Sequence, residues 1–349
     1  MAAKILAKEK LKGLLGELAS RGSLVAPVRE EGVALFRPVR DAEGLILDYV
    51  KTALSAKEVF LPQTEPMMYF STAGGSLELR EAVPVEERVL FGARPCDLAA
   101  LELLDKVFLA GDFVDSYYQV RREKTTTIGL ACPNPGRTCF CTSFGLSPGS
   151  TRGADVMFYQ DGDGYLVEAL TPKGDKLLGS LEKHLSPADD ERAEKVRQGY
   201  RSKPTPLGSR VDVEGIARAL DGMFEHPYWA RLSPRCLSCG ICTYSCPTCY
   251  CFCVVDLAVG DRGVRSRCWD ACMYPQFLLM AGGHNPRPTK KERVRQRFMH
   301  KLNYYVHREG EYLCTGCGRC VEKCPVGLHI AGVIMDVKGM ERDAEQSAS

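Results

Sequence analysis

Two short cysteine runs in the C-terminal part of the chain constrain its fold more than any other feature. They span residues 236–247 and 314–325, and both read C-x2-C-x2-C-x3-C-P. This spacing is typical of [4Fe–4S] clusters, in which three cysteines wrap one cluster and the fourth reaches the other. The runs therefore predict two such clusters, one on Cys236, Cys239, Cys242 and Cys324 and one on Cys314, Cys317, Cys320 and Cys246.

A pair of zinc sites is the alternative interpretation of the two runs. Structural zinc sites combine two C-x2-C pairs and do not need the longer run, which occurs here twice. The iron–sulfur interpretation is therefore favoured, and it makes the chain at least a carrier of electrons.

Composition indicates what kind of protein carries these runs. The chain has 349 residues, enough for two or three domains, with 45% hydrophobic and 26% charged residues and a net charge of only +2. Its 17 cysteines would need an oxidising compartment to form disulfides, yet we find neither a signal peptide nor an apolar stretch long enough to span a membrane. We therefore expect a cytoplasmic protein, not an integral membrane protein, whose reduced thiols bind metal. Because exposed clusters are sensitive to oxygen, we also expect an anaerobic host.

The N-terminal half shows a pattern of strands and helices. Residues 1–22 form an amphipathic, lysine-rich pattern that predicts a helix, and residues 23–39 alternate like short strands. Residues 155–159 and 165–170 flank a glycine- and aspartate-rich turn and predict a hairpin. These elements indicate an α/β domain.

A βαβ unit is the most informative part of this half. Its predicted elements are a strand at 88–93, a helix at 98–108 with Asp97 as its N-cap, and a strand at 126–131. A crossover of this kind makes the two strands parallel. Cys96 and Cys132 then follow the carboxyl ends of neighbouring strands, where α/β folds place their sites.

A third metal site is predicted at this edge of the sheet. Cys132 continues into a loop that contains Cys139 and Cys141, so that four cysteines converge with Cys96. We favour a third [4Fe–4S] cluster on Cys96, Cys132, Cys139 and Cys141. A four-cysteine zinc site and buried thiols that only pack remain the alternatives.

A proline- and serine-rich segment at 201–209 predicts a linker, which divides the chain into residues 1–208 and residues 209–349. Because 67 residues separate Cys246 from Cys314, the second part is too long for a compact bacterial ferredoxin. We predict a mainly α-helical, ferredoxin-like domain with an insertion at about 247–313.

Five further cysteines lie in this insertion: Cys249, Cys251, Cys253, Cys268 and Cys272. Residues 248–253 alternate like a strand, which would place the first three on one face. A fourth metal site is one interpretation, and shielding or packing around the clusters is the other.

Residues 287–308 form a basic segment with few acids. A nucleic-acid interface is not expected, since the excess does not dominate the charge balance and no recognised binding motif accompanies it. We expect this segment to be a solvated helix, or to neutralise the clusters and dock an acidic partner.

Beyond the two runs, the chain resembles a known family over nearly its whole length. The matching stretches are residues 92–97 (GARPCD), 138–145 (TCFCTSFG), 246–252 (CPTCYCF), 269–270 (WD), 283–288 (GHNPRP) and 297–301 (RFMHK). They are similar to the β subunits of sulfhydrogenase-type [NiFe] hydrogenases and the A subunit of anaerobic sulfite reductase. Cys253 departs from that pattern, because an acidic residue is expected there.

The resemblance implies an electron-transfer subunit. Such a subunit relays electrons between a flavin- or NAD(P)-binding subunit and a catalytic hydrogenase- or reductase-type partner. The sequence itself lacks a G-x-G-x-x-G fingerprint and a P-loop, so no flavin or nicotinamide site of its own is evident.

The leading hypothesis is a non-catalytic relay of two, and on the N-terminal cysteines three, clusters. One alternative is a reductase subunit with a substrate-accessible N-terminal cluster. A second alternative is a cysteine redox sensor based on the additional cysteines.

Overall fold

The computed structural model describes residues 3–22, 24–83 and 86–348. Within these residues the strands are Lys4–Ala7 (β1), Leu24–Glu30 (β2), Val33–Val39 (β3), Thr64–Ser71 (β4), Glu78–Glu81 (β5), Arg88–Ala93 (β6), Thr125–Leu130 (β7), Val156–Asp161 (β8), Gly164–Ala169 (β9), Leu185–Pro187 (β10), Phe252–Val259 (β11) and Arg262–Trp269 (β12). The α-helices are Lys8–Ser20 (α1), Lys57–Phe60 (α2), Pro95–Phe108 (α3), Ser116–Lys124 (α4), Pro172–Gly179 (α5), Asp190–Arg201 (α6), Ile216–Asp221 (α7), Tyr228–Leu232 (α8), Ile241–Tyr244 (α9), Lys290–Met299 (α10), Tyr305–Glu309 (α11), Arg319–Lys323 (α12) and Ile330–Ala348 (α13). A π-helical turn, His300–Tyr304, joins α10 to α11.

The larger sheet has the order β10-β1-β9-β8-β7-β6-β2-β3. Its central strands β2, β6, β7 and β8 are parallel, and antiparallel strands flank them on both sides. Helices cover both faces: leucines of α1 pack on one face with Ile128 and Phe158, and leucines of α3 pack on the other with Leu90 and Met157. A sheet covered in this way is the α/β architecture that the sequence predicts.

The βαβ unit is confirmed, with β6 and β7 in parallel register. The hairpin predicted around residues 160–164 is also confirmed, as β8 and β9. The helix of this unit starts earlier than predicted, because Pro95 is well suited to the first turn of a helix and begins α3. Asp97 lies inside that first turn and its carboxylate bonds Arg319 instead of capping the helix. The assignment of Asp97 as the N-cap was therefore wrong.

The N-terminal helix is also shorter than predicted. Residues 1 and 2 lie outside the described residues, and residues 4–7 form β1, which pairs with β9 and β10 before α1 begins. The strands predicted at 23–39 are confirmed as β2 and β3, apart from residue 23, which is not described. Tertiary pairing decides the state of so short a segment as β1.

A second sheet, with the order β11-β12-β4-β5, contains strands from both predicted domains. The hairpin β11–β12 comes from the insertion, and β12 pairs with β4 from the N-terminal half. Glu65 on β4 is buried and bonds Arg267 on β12 at 2.5 Å. The C-terminal half is therefore not helical throughout, and its strands complete a sheet begun in the N-terminal half.

The C-terminal core forms where α7, α8, α10 and α13 meet, around Trp229, Phe298 and Ile334. The predicted linker at 201–209 packs on the cysteine-bearing loop: the Leu207 N–H donates to the Cys139 carbonyl at 3.0 Å. The predicted boundary at residue 208 stays a prediction, and extensive contacts cross it. None of the described helices is long and apolar enough to cross a membrane.

Candidate metal centre

The first predicted cluster site is assembled at one cavity. Cys236, Cys239, Cys242 and Cys324 all line it. Two backbone N–H groups point at these sulfurs, that of Ser238 at Cys236 (3.3 Å) and that of Leu328 at Cys324 (3.2 Å). Such bonds stabilise thiolates and tune the iron that they bind.

The second predicted site is packed more deeply. Cys317 is 8% exposed, and burial raises the pKa of Cys314, with the charges of Cys246 and Cys320 adding to that effect. The thiol of Cys249 donates to the Cys246 sulfur and lowers the pKa of Cys246 well below its usual range. These contacts bring the four predicted ligands close to one another.

Buried cations compensate these thiolates. The Lys301 ammonium bonds the Cys246 sulfur at 3.5 Å, the Thr248 hydroxyl at 2.8 Å and the Leu313 carbonyl at 3.1 Å. Lys57 bonds the carbonyl of Cys249 at 2.8 Å. Buried lysines of this kind are costly unless negative charge lies beside them.

The four N-terminal cysteines also line one cavity. Cys96 lies in the first turn of α3, Cys132 follows β7, and Cys139 and Cys141 come from the loop between β7 and β8. Burial raises the pKa of Cys132 to about 11 and that of Cys141 to about 12. Thiols this buried ionise readily only when a metal takes the place of the proton.

Cys317 also lines this third cavity, so that the second and third sites are neighbours. The loops that carry them pack closely: the Phe140 N–H donates to the Gly316 carbonyl at 2.9 Å. A Cβ on Gly316 would overlap the carbonyl oxygen of Phe140, and a Cβ on Gly318 would overlap that of Thr138. Both glycines have a positive φ. Only glycine fits this approach.

All the ligands predicted for these sites are cysteines, the donor set that holds iron–sulfur clusters. In the described part of the chain, no group of three or more His, Cys, Asp or Glu side chains is close enough to hold one metal ion. Zinc would need four ligand atoms within about 2.3 Å of one point. Cysteines spread around a cavity suit a cluster, in which each thiolate binds a different iron.

Arg297 provides an independent test of the fit. Its side chain lines the first cavity, and its Nε and Nη1 atoms are buried without a hydrogen-bond partner among the described residues. Burial lowers the pKa of Arg297, but the thiolates of Cys242 and Cys320 outweigh burial and hold the pKa above its usual value. An anionic group in the cavity would satisfy this guanidinium.

The five additional cysteines divide into two groups. Cys249 contacts Cys246, and Cys251 contacts Cys272 by a thiol hydrogen bond that lowers the pKa of Cys251. Cys253 and Cys268 are opposite each other on β11 and β12. The predicted strand at 248–253 forms only at its end, because β11 begins at Phe252, so the three cysteines of that segment do not share a strand face.

The basic segment is largely buried rather than solvated. Its buried cations include Arg293, Arg295, Arg297 and Lys301. Arg295 contacts Glu225 and the ring of Phe224, whereas Arg297 and Lys301 face the cysteines. Sequence reasoning considered neutralisation by this segment but did not identify which residues perform it.

The ion pair between Arg319 and Asp97 could not be inferred from the sequence. Arg319, inside the second cysteine run, bonds both carboxylate oxygens of Asp97 at 2.6 and 2.8 Å and the Thr52 carbonyl at 2.9 Å. Lys51 likewise bonds the Cys317 carbonyl at 3.3 Å and Glu322 at 2.8 Å. The segment around residues 51–57 thereby fixes both cluster-bearing loops to the N-terminal domain.

Comparison with known proteins agrees with this geometry. Residues 235–328 match the family model of the 4Fe-4S dicluster domain. The chain is 32% identical over 337 residues to sulfhydrogenase 2 subunit beta of Pyrococcus furiosus, covering 95% of this chain and 97% of that protein. No solved structure matches the chain significantly.

Proposed function

Since this chain belongs to the family of sulfhydrogenase β subunits, we propose that it relays electrons through three [4Fe–4S] clusters between a redox subunit and a catalytic subunit. The dicluster domain and the family make it an iron–sulfur electron-transfer subunit. The number of clusters, their ligands and the partners are the proposal. Bound in these cavities, such clusters would supply one-electron transfer.

The main support for the relay is that Cys317 contributes to two of the proposed sites. It belongs to the second cysteine run and also lines the cavity of Cys96, Cys132, Cys139 and Cys141. At the other end of the second site, Cys320 is close enough to Cys242 for its charge to raise the Cys242 pKa, although burial is the larger cause. These two observations support an order in which the second site lies between the first and the third.

The first two proposed ligand sets are those that the cysteine spacing predicts, and the third is the set that the βαβ topology predicts. The first is Cys236, Cys239, Cys242 and Cys324, the second Cys246, Cys314, Cys317 and Cys320, and the third Cys96, Cys132, Cys139 and Cys141. In this proposal residues 1–208 carry the third cluster and residues 209–349 carry the first two. Hydrogen bonds and buried cations hold the thiolates in place.

Iron and acid-labile sulfide analysis of anaerobically purified protein tests the cluster number. We expect about twelve irons per chain in the wild type and about eight in Cys132→Ala. Cys268→Ala, on the β12 strand opposite Cys253, is the matched control and keeps about twelve. Electron paramagnetic resonance (EPR) signals of the two remaining clusters should persist in Cys132→Ala. About eight irons in both the wild type and Cys132→Ala would refute the third cluster.

The partners are proposed from the family. A flavin- or NAD(P)-binding subunit and a hydrogenase- or reductase-type catalytic subunit would flank this chain. Anaerobic isolation of the tagged chain from its native host, followed by mass spectrometry and flavin analysis, tests this assembly. Isolation of the chain without any flavin-containing or catalytic subunit contradicts it.

A further inference from the structure

Arg297 is placed unlike the other arginines of its helix. It lies near the end of α10, is 4% exposed, and its Cζ atom is 4.6 Å from the centre of the Phe298 ring. Within the described part of the chain, neither Nε nor Nη1 has a hydrogen-bond partner. Arg295, two residues earlier, bonds the Glu225 carboxylate and the Phe224 carbonyl instead.

A buried guanidinium without partners is a costly arrangement. Removing one such ion from water costs several kcal/mol even after the protein relaxes. Proteins keep a buried cation where an anion repays this cost. The Arg297 side chain must therefore face negative charge that hydrogen bonds to the polypeptide do not supply.

The charges that act on Arg297 come from both cysteine runs. The strongest are the thiolates of Cys242, from the first run, and Cys320, from the second. Cys246 and Cys249 act on Arg297 more weakly, whereas they and Cys314 are the thiolates that act most on Lys301. Arg297 lines the first cavity together with Cys242, and α9, which carries Cys242, packs against α12, which carries Cys320. Arg297 is therefore placed near both predicted clusters, whereas Lys301 bonds the Cys246 sulfur of the second.

We propose that Arg297 is a shared counter-cation that raises the reduction potentials of both clusters in the dicluster domain. The inference rests on the ligand sets proposed above. Reduction adds one negative charge to a cluster, and a nearby buried cation favours the reduced form. Since the same guanidinium acts on both sites, its removal should lower both potentials.

Redox titration of the purified holoprotein, followed by EPR, tests this role. Arg297→Met should shift the midpoint potentials of both dicluster signals to more negative values. Arg297→Lys keeps the charge and should recover most of that shift. Arg295→Met is the matched control in the same helix and should leave both potentials unchanged.

Lys301→Met separates a shared effect from a local one. It should lower the potential of one dicluster signal only, because Lys301 contacts the second site alone. Iron and sulfide content is measured for each variant, so that loss of a cluster is distinguished from a change in potential. The wild-type iron count independently tests the proposed function.

Two results would overturn the proposal. One is unchanged potentials in an Arg297→Met protein that retains wild-type iron content. The other is a shift of a single signal in both Arg297→Met and Lys301→Met. If the Arg297→Met protein does not assemble its clusters, the Arg297→Lys protein still tests the proposal. Potentials of both clusters near the wild-type values support a charge effect, and loss of iron although the charge is kept contradicts it.

Discussion

The Arg319–Asp97 ion pair joins the second cysteine run to the N-terminal domain, and its loss has a calculable consequence. Arg319 is 0% exposed and Asp97 1% exposed, and the Arg319 guanidinium also donates to the carbonyl and the hydroxyl of Thr52. Arg319→Met removes the cation and leaves the Asp97 carboxylate buried without a charge partner. Breaking a buried pair in this way costs about 3–5 kcal/mol.

A second ion pair in the same molecule provides the control. Arg265 and Asp256 form a similar two-bonded pair at 2.7 and 2.8 Å, but their side chains are 51% and 49% exposed. Because solvent screens such a pair, Arg265→Met should lower stability much less than Arg319→Met does. The two pairs share the geometry of their carboxylate bonds and differ in burial and in the additional bonds of Arg319 to Thr52.

The assay is guanidinium unfolding of the holoprotein under anaerobic conditions, followed by far-UV circular dichroism. Arg319→Met should unfold at a clearly lower denaturant concentration than Arg265→Met. The double variant Arg319→Met/Asp97→Leu should recover much of the loss, because both buried charges are then removed. The reasoning is refuted if Arg319→Met costs less than about 1 kcal/mol, or if the double variant is no more stable than Arg319→Met.

Two further predictions concern backbone geometry and pH. Gly318→Ala should lower both stability and iron content, because the added Cβ would overlap the Thr138 carbonyl. Gly310 has a similar φ, but no described atom lies within 4 Å of a Cβ built on it, so Gly310→Ala should show only a mild loss of stability. Equal iron loss in the two variants contradicts this prediction. Burial lowers the pKa of His300 from 6.5 to about 4, with Lys301 and Arg308 adding to the effect. The unfolded chain therefore binds more protons between these values, and stability should fall as the pH drops from 6.5 towards 4. In His300→Gln, thermal unfolding between pH 7.5 and 5.5 should lose this part of the pH dependence, and an unchanged profile would exclude the histidine as its source.

The sequence predicted those parts of the fold that local patterns determine. The strands around Leu90 and Ile128 are apolar and the helix between them has clear apolar periodicity, so the parallel pairing of the two strands could be inferred. The two C-terminal ligand sets follow from cysteine spacing and the N-terminal set follows from topology, and all three stay predictions for the iron analysis. Cys96 and Cys132 could be placed together because parallel strands end at one edge.

The parts that were missed depend on contacts between distant residues. Asp97 and Arg319 are 222 positions apart, and nothing in either segment indicates the other. The same holds for Glu65 and Arg267, whose ion pair lies inside a sheet shared by the two halves. Arginines inside or beside cysteine runs are the signal that could have suggested such partners.

The shared sheet also affects how the chain matures during synthesis. Strands β4 and β5 leave the ribosome well before β12, the strand that pairs with β4. Until then, β4 has an open edge and the carboxylate of Glu65 lacks Arg267. Pairing over such a separation is slow, and a free strand edge invites association with other chains. Completion of the N-terminal half therefore waits for the hairpin between the two cysteine runs, so that a nascent chain closes this sheet only when its cluster-binding segment is emerging.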